Sequence, residues 1–377
     1  MAASTNETGE IARRSLSASQ REKTAVVGSR GSALALWQTN WVLDRLRERA
    51  PEARFRIEEI KTRGDHTQSS NVPLTLLGDK SMFVAELERA LLAGELDVAI
   101  QPMNDLALME DERGRGPRGP RGHEWPAHGA GGLKPVEGAG GVGGDGFSLH
   151  TPAPALQGRE QPEAVIDAAV HSLKDLPGKL DRRLVLAAIT ERADPRDALV
   201  SRSGLGLLQL PAGATVATSS LRRKAQVLHA RPDLRVVDIR GNVDTRLRKA
   251  LAPDGPDATI LAVAGLLRLG LESNITELLP VEVMVPAVGQ GALAVEVRAS
   301  DRRLRRLLRQ INSAPTQAAV AAERAVLATL GGGCQVPLGA HATIAPDGAT
   351  LRLLAVVASL DGRRLVRVER AGPVRRP

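Results

Sequence analysis

The residues that could do chemistry recur at the ends of short apolar runs. Arg30 closes TAVVGSR, Lys174 and Asp175 follow AAVHS, Arg222 and Arg223 follow ATSSL, Arg240 ends RVVDIR, and Arg246 falls in the first turns after it. Ligands of open parallel sheets gather beyond the carboxyl ends of the strands. Guanidinium groups there suit the paired, planar capture of carboxylate or phosphate. Ser219 or Ser220 is placed to cap the helix carrying Arg222 and Arg223, so that its free N–H groups face the same anion. Taken singly, each arginine reads more simply as solvated surface. Their repetition at strand ends is what describes a cleft for a small polyanion.

Asp175 is the carboxylate inside this basic neighbourhood. It reads either as a turn residue before Leu-Pro or as an acid–base group, ionised by its cationic neighbours and able to stabilise a developing cation. His171, four residues earlier, reads as a satisfied structural histidine. Cys334 is the chain's only cysteine, in TLGGGCQVPLG. One reading is a small buried hydrophobe. The other is a nucleophile or attachment point, because three preceding glycines leave the sulfur unshielded and a basic cleft would depress its pKa.

Composition narrows the partners. The chain has 377 residues, a formal net charge of +8, three Trp, three Phe and no Tyr. Stacking platforms for bases are scarce, which weighs against single-strand nucleic-acid binding, and no basic helix face is evident. One cysteine excludes an internal disulfide framework, no Cys/His cluster has zinc spacing, and no apolar run approaches membrane-spanning length. No metal is expected. Residues 1–23 are polar and read as a disordered tail on a cytoplasmic protein, with plastid targeting left open.

The elements that must position these groups alternate. TAVVGSR reads as a buried strand and SALALWQTNWVLDRLRERAP as a helix capped by Ser32. RFRIEEIKT reads as a second strand, and SMFVAELERALLAGE as a helix closed by Gly94. That order predicts an α/β domain with a largely parallel sheet. Residues 101–165 are rich in Gly, Pro and charge without periodicity, and read as a disordered insertion. DVAIQPMNDL (97–106) and DAAVHSLKDL (167–176) on either side share their spacing and compete for one strand position; the second, with His171, Ser172 and Lys174, reads as the working copy. LVLAAI, ALVSR, ATVATS, RVVDI and ATILAVAG suggest a second α/β unit to about residue 284, and GALAVEVR one more strand. APTQAAVAAERAVLATL reads as a helix stopping at Gly331, followed by three antiparallel strands joined at PDG and LDG turns.

Together, GSRGSALALWQ, IKTRGD, KSMFVAELERALLAGELD, AVHSLKDLP, ATSSLRRKAQ, DIRGNVDTRLRKA, AGLLRLGL, PAVGQGALAVEVR and GGGCQVPLGA resemble the porphobilinogen deaminase family, in the family's order. The resemblance implies two periplasmic-binding-protein-like α/β domains around a hinged cleft, plus a small α+β C-terminal domain. Domain 1 would comprise 24–100, 166–189 and 286–308, domain 2 190–285, and domain 3 309–377. It implies a transferase that joins four porphobilinogen molecules head to tail, releasing ammonia each time, and then frees hydroxymethylbilane by hydrolysis. It implies a covalent dipyrromethane cofactor held by Cys334 through a thioether, with the glycines as a bendable tether. Asp175 matches the catalytic aspartate. Ser172, Lys174, Thr218, Ser220, Arg222, Arg223 and Arg246 would bind cofactor, and Arg30, Ser32, Lys80, Arg240 and Arg268 substrate. The expected partner is porphobilinogen, without nucleic acid or membrane, on a monomeric chain. Two departures stand out: the insertion, and an end at GPVRRP where the family continues into a final helix. A non-catalytic anion-binding module and an inactive, insertion-disrupted enzyme are the alternatives.

Overall fold

The computed structural model describes residues 24–61, 84–93, 165–330 and 336–374. All lie in one compact unit, formed by Met1–Asp97 and Pro162–Pro377. The first of the paired repeats (97–106), almost all of the 101–165 segment, Lys80 and Cys334 fall outside the described residues.

The first sheet takes β1 (Thr24–Ser29), β2 (Arg54–Glu59), β3 (Ala168–Ser172), β4 (Leu184–Ile189) and β10 (Leu293–Arg298), in the order β2-β1-β3-β10-β4. Strands β1, β2 and β3 are parallel, whereas β10 runs antiparallel to both β3 and β4. Helix α1 (Ala33–Arg49) starts at Ser32, whose side chain accepts from the Ala35 amide. It buries Val42, Leu43 and Leu46 on one face of the sheet, beside Leu304 and Leu308 of α6 (Arg302–Leu308). Helix α2 (Ala85–Ala93) covers the other face through Leu87 and Leu91. Each such leucine contributes roughly 1.5–3 kcal/mol, so the sheet is fixed from both sides.

The second sheet repeats this plan. It takes β5 (Asp197–Ser201), β6 (Thr215–Ala217), β7 (Arg235–Val237), β8 (Ala258–Ala262) and β9 (Glu277–Leu279), in the order β7-β6-β8-β5-β9. Again three strands are parallel and the fourth, β5, is antiparallel to both of its neighbours. Its helices are α3 (Leu221–Ala230), α4 (Val243–Leu251) and α5 (Val263–Arg268). The largely parallel sheet expected from the sequence is therefore a mixed one. In each sheet the reversed strand is joined to the other sheet, β5 by residues 190–196 and β10 by residues 280–292.

Two glycines let these connections pass close to the site. Gly289 has φ +71°, and a Cβ there would collide with the Leu173 side chain. Gly291 has φ +90°, and a Cβ there would run into the Ala193 carbonyl. Only glycine tolerates both the conformation and the approach. The returning connection can then lie against the outgoing one, with the Ala193 amide donating to the Gly291 carbonyl.

The third sheet has β11 (Leu338–Ile344), β12 (Thr350–Ala358) and β13 (Leu365–Pro373), all antiparallel and in sequence order. Helix α7 (Ala314–Thr329) packs on it, with Val326 and Leu327 against Leu338 and Ala340. The PDG and LDG turns lie where expected, with Gly348 and Gly362 at φ +65° and +72°.

Candidate functional site

Asp175 ends a short 3-10 turn, Leu173–Asp175, immediately beyond β3. Two anchors fix that turn. The Leu173 amide donates to the Ala292 carbonyl on the returning connection. Leu173 and Leu176 are buried with Val84, Ala292 and Val320. The turn thus leans on α7 and on the connection between the sheets, leaving Lys174 and Asp175 half-exposed at the strand's carboxyl end. Ser172 is tied to α1: the Gln38 amide donates to its hydroxyl (2.9 Å) and the hydroxyl donates to Gln38 Oε1 (3.1 Å). His171 is buried and bonded to the fully buried Glu296 at 3.1 Å, the structural histidine expected.

The second sheet brings its own groups. Arg246 is half-buried, and its Nε donates to the Gly241 carbonyl at 2.7 Å. Burial, with the Arg223 and Arg240 charges, lowers its pKa to about 10, while Asp175 acts in the opposite direction. Arg246 therefore responds to charges from both sheets, Asp175 beyond β3 and Arg223 and Arg240 on its own side. Arg30 and Ser32 stand half-buried beyond β1. Between the two candidate capping serines, the structure selects Ser220, which accepts from the Arg223 amide at 3.4 Å. Ser219 instead pins the chain after β7, donating to the Ile239 carbonyl and accepting from its amide. Thr218 is buried, and its hydroxyl accepts from the Ser220 amide.

Arg222 and Arg223, expected to bind ligand carboxylates, are each only 6 % exposed and already hold a carboxylate of the chain. Arg222 donates to Asp197 Oδ2 (2.8 Å) and to the Val285 carbonyl (2.7 Å). Arg223 donates to Asp197 Oδ1 (2.7 Å) and to the Ile260 carbonyl (2.9 Å). Burial alone would raise the Asp197 pKa, but the two guanidiniums hold it well below the usual range. Two cations against one anion leave a surplus positive charge, and Arg246 feels it through Arg223. What this triad offers a ligand is chiefly field. The Gln290 amide, from the returning connection, adds a bond to Asp197 Oδ1 (2.8 Å).

Sequence reasoning missed a second hub. Glu323 of α7 is fully buried and accepts from Arg192 Nη1 (2.6 Å), the Gly289 amide (2.7 Å) and the Ala342 amide (2.7 Å). It joins both connections between the sheets to the helix and first strand of the third. The visible signal was a charge on an otherwise apolar helix face. Arg268, at the end of α5, reaches α1. Its guanidinium lies 5.9 Å over the Trp37 ring and donates to the Gly291 carbonyl, and burial alone lowers its pKa to about 10.

The profile described as porphobilinogen deaminase, dipyromethane cofactor binding domain, matches residues 25–114 and 160–306. The profile described as porphobilinogen deaminase, C-terminal domain, matches residues 317–377. The chain belongs to the porphobilinogen deaminase family. Among its relatives, the porphobilinogen deaminase of Desulforudis audaxviator is 43% identical over 94% of this chain and 91% of its own length. Those of Pelobacter propionicus and Brevibacillus brevis are each 41% identical, over 92% and 90% of this chain and 88% and 86% of their own lengths. The stretch the family profile passes over, 115–159, lies inside the segment read as an insertion. Of solved structures, the methionine-binding protein MetQ resembles it at TM-score 0.35 and 9% identity, covering 82% of this chain and 97% of that one.

The residues present fit the family's cofactor. A dipyrromethane bears several carboxylates, and around Arg246 the surplus charge of the Asp197 triad and Arg240 stands against the single carboxylate of Asp175. Among the described residues, no group of three His, Cys, Asp or Glu could hold a metal ion.

Proposed function

We propose that this chain is a hydroxymethylbilane synthase, joining four porphobilinogen molecules head to tail and releasing the linear tetrapyrrole by hydrolysis. The observation that carries the reading is that Arg246, on the second sheet's side, responds to the charge of Asp175 beyond β3 as well as to Arg223 and Arg240. Each addition forms a carbon–carbon bond between pyrrole rings and breaks the carbon–nitrogen bond of the aminomethyl group. Ammonia leaves, and the ring proton at the new bond is lost. Positive charge develops on the pyrrole as the amine departs. An ionised Asp175 stabilises that charge and passes protons at its carboxylate oxygens. Bound dipyrromethane supplies the ring from which the chain grows.

In this reading Cys334 is the covalent anchor. Lys174, Ser172, Thr218, Ser220, Arg222, Arg223 and Arg246 serve the cofactor, those already bonded within the chain acting by position and field. Arg30, Ser32, Lys80, Arg240 and Arg268 serve substrate carboxylates. The protein acts as a cytoplasmic monomer on a small molecule.

Purified protein is incubated with porphobilinogen, treated with Ehrlich's reagent, and weighed intact. Expected are consumption of porphobilinogen, colour from protein-bound pyrrole, and an added dipyrromethane mass that Cys334→Ser abolishes. An unmodified chain that consumes no porphobilinogen overturns the reading.

A further inference from the structure

On its entry side the turn bearing Asp175 is held by the returning connection, through the Leu173 amide and the Ala292 carbonyl. Its exit side has a different support. Past Leu176 the chain reads Pro177, Gly178, Lys179, Leu180. Proline has no N–H to donate, and glycine gives up the most conformational freedom on being fixed. Among the described residues, no backbone–backbone hydrogen bond falls on any of these four. The bonds that reach them come from Arg324 of α7. Its Nη2 donates to the Pro177 carbonyl at 2.7 Å and to the Gly178 carbonyl at 3.1 Å. Among the described residues, these are the only hydrogen bonds made to residues 177–180.

The arginine is set to this task at some cost. It is half-buried, and burial lowers its pKa while the charge of Glu296 opposes the shift. Elsewhere arginines take a nearby acid, as Arg47 takes Asp44 and Arg183 takes Asp181. Arg324 has no carboxylate in ion-pair reach among the described residues and gives its bonds to two neutral carbonyls. Bonds from an ionised donor are roughly twice as strong as neutral ones. One helical turn earlier, Val320 is buried against Leu173 and Leu176. Helix α7 therefore grips the Asp175 turn twice, by apolar contact within it and by charge-assisted bonds just after it.

We propose that Arg324 is a positioning residue for the reaction: by closing on the Pro177 and Gly178 carbonyls it fixes where the Asp175 carboxylate stands toward the pyrrole that loses its amine. The inference rests on the function put forward above and adds to it a residue from the helix that packs on the third sheet. Its action passes through the backbone of the turn. It therefore sets how fast bound substrate reacts, not how strongly substrate is held. A displacement of about 1 Å at a reacting group can cost on the order of 10²-fold in rate, so a support two residues from Asp175 has room to matter.

The test is a double-substitution cycle on the holoenzyme, with intact mass confirming dipyrromethane on each variant. Arg324→Met keeps the aliphatic stem and removes the donors. It lowers kcat for porphobilinogen about 10- to 100-fold and leaves KM within about twofold of the parent. Arg324→Lys returns a cationic donor and recovers part of the loss. Beside Asp175→Asn, Arg324→Met costs less than about twofold more, because the carboxylate it would position is gone. A parental kcat for Arg324→Met, or equal losses in both backgrounds, overturns the positioning role while leaving the function standing. If Arg324→Met does not fold, the cycle with Arg324→Lys decides. A loss of about threefold or more that vanishes beside Asp175→Asn is expected, and no loss, or the same loss in both backgrounds, overturns the role. A parent holoenzyme that consumes no porphobilinogen overturns both.

Discussion

The Asp175 carboxylate beyond β3 acts on the Arg246 guanidinium of the other sheet's side, favouring the protonated form of an arginine that burial and two like charges disfavour. Asp175→Asn keeps the shape of the turn and removes its charge. Turnover of porphobilinogen is expected to fall about 10²- to 10⁴-fold, the span typical of acid–base groups. The melting temperature should hold, because Leu173 and Leu176, not Asp175, anchor the turn. A variant retaining a tenth or more of parental turnover contradicts the role.

Asp197 is the counter-charge of two buried arginines. Asp197→Asn leaves both guanidiniums buried without it, a loss expected to cost about 3–5 kcal/mol in urea unfolding. The pH dependence follows from its depressed pKa. Its contribution is fully present above the unfolded value near 3.8 and is lost as pH falls through the lower folded value. The variant's stability curve should therefore flatten on the acid side relative to the parent.

Glu323 holds both connections between the sheets. Glu323→Gln replaces an acceptor of an arginine and two amides by a neutral group with one oxygen. A loss of about 3–5 kcal/mol is expected. If the variant folds, hydrogen exchange should quicken at the amides of Gly289 and Ala342 before it changes at β6 or β8. Exchange speeding evenly across the chain contradicts that hub.

Glu88 predicts the opposite pH trend. Burial raises its pKa above 4.5, with Glu296 adding to the shift. One of its oxygens and one of Glu296 are buried without a partner. A raised carboxyl pKa contributes stability that is present below the unfolded value and is lost as pH rises through the folded one. Glu88→Gln should raise the melting temperature at pH 7 and leave it near parental at pH 4. Equal shifts at both pH values contradict the assignment.

Much of this arrangement was legible because local pattern determined it. The α1 helix, with its Ser32 cap and 3.6-residue apolar period, announces itself, as do the alternating strands of the third sheet and their glycine turns. What stayed hidden depends on residues far apart in the chain. Strand β9 is only three residues long and reads as loop. The reversal of β5 and β10 follows from where the chain crosses, which no window of sequence contains. Arg222 and Arg223 were rightly read as basic groups beyond a strand, yet their pairing with Asp197 spans some 25 residues. A trace existed: Glu296 and Glu323 are charges inside the apolar runs LAVEV and AAVAAERAVLA, and Asp197 heads the run DALVS. A buried carboxylate of that kind announces a distant partner without naming it.

The order in which strands join the two large sheets bears on synthesis. The β7-β6-β8-β5-β9 sheet is one uninterrupted segment and has all its strands once residue 279 has emerged. The sheet containing β3 waits for β10, near residue 298, although its other strands were made far earlier. On the ribosome, the later-encoded lobe can finish first. The turn bearing Asp175 gains its supports, Gly289 and Ala292, only afterwards. A nascent chain that has emerged as far as residue 285 would carry a completed second lobe beside a first lobe still missing a central strand, and so the reactive end of β3 is assembled last around a frame already set.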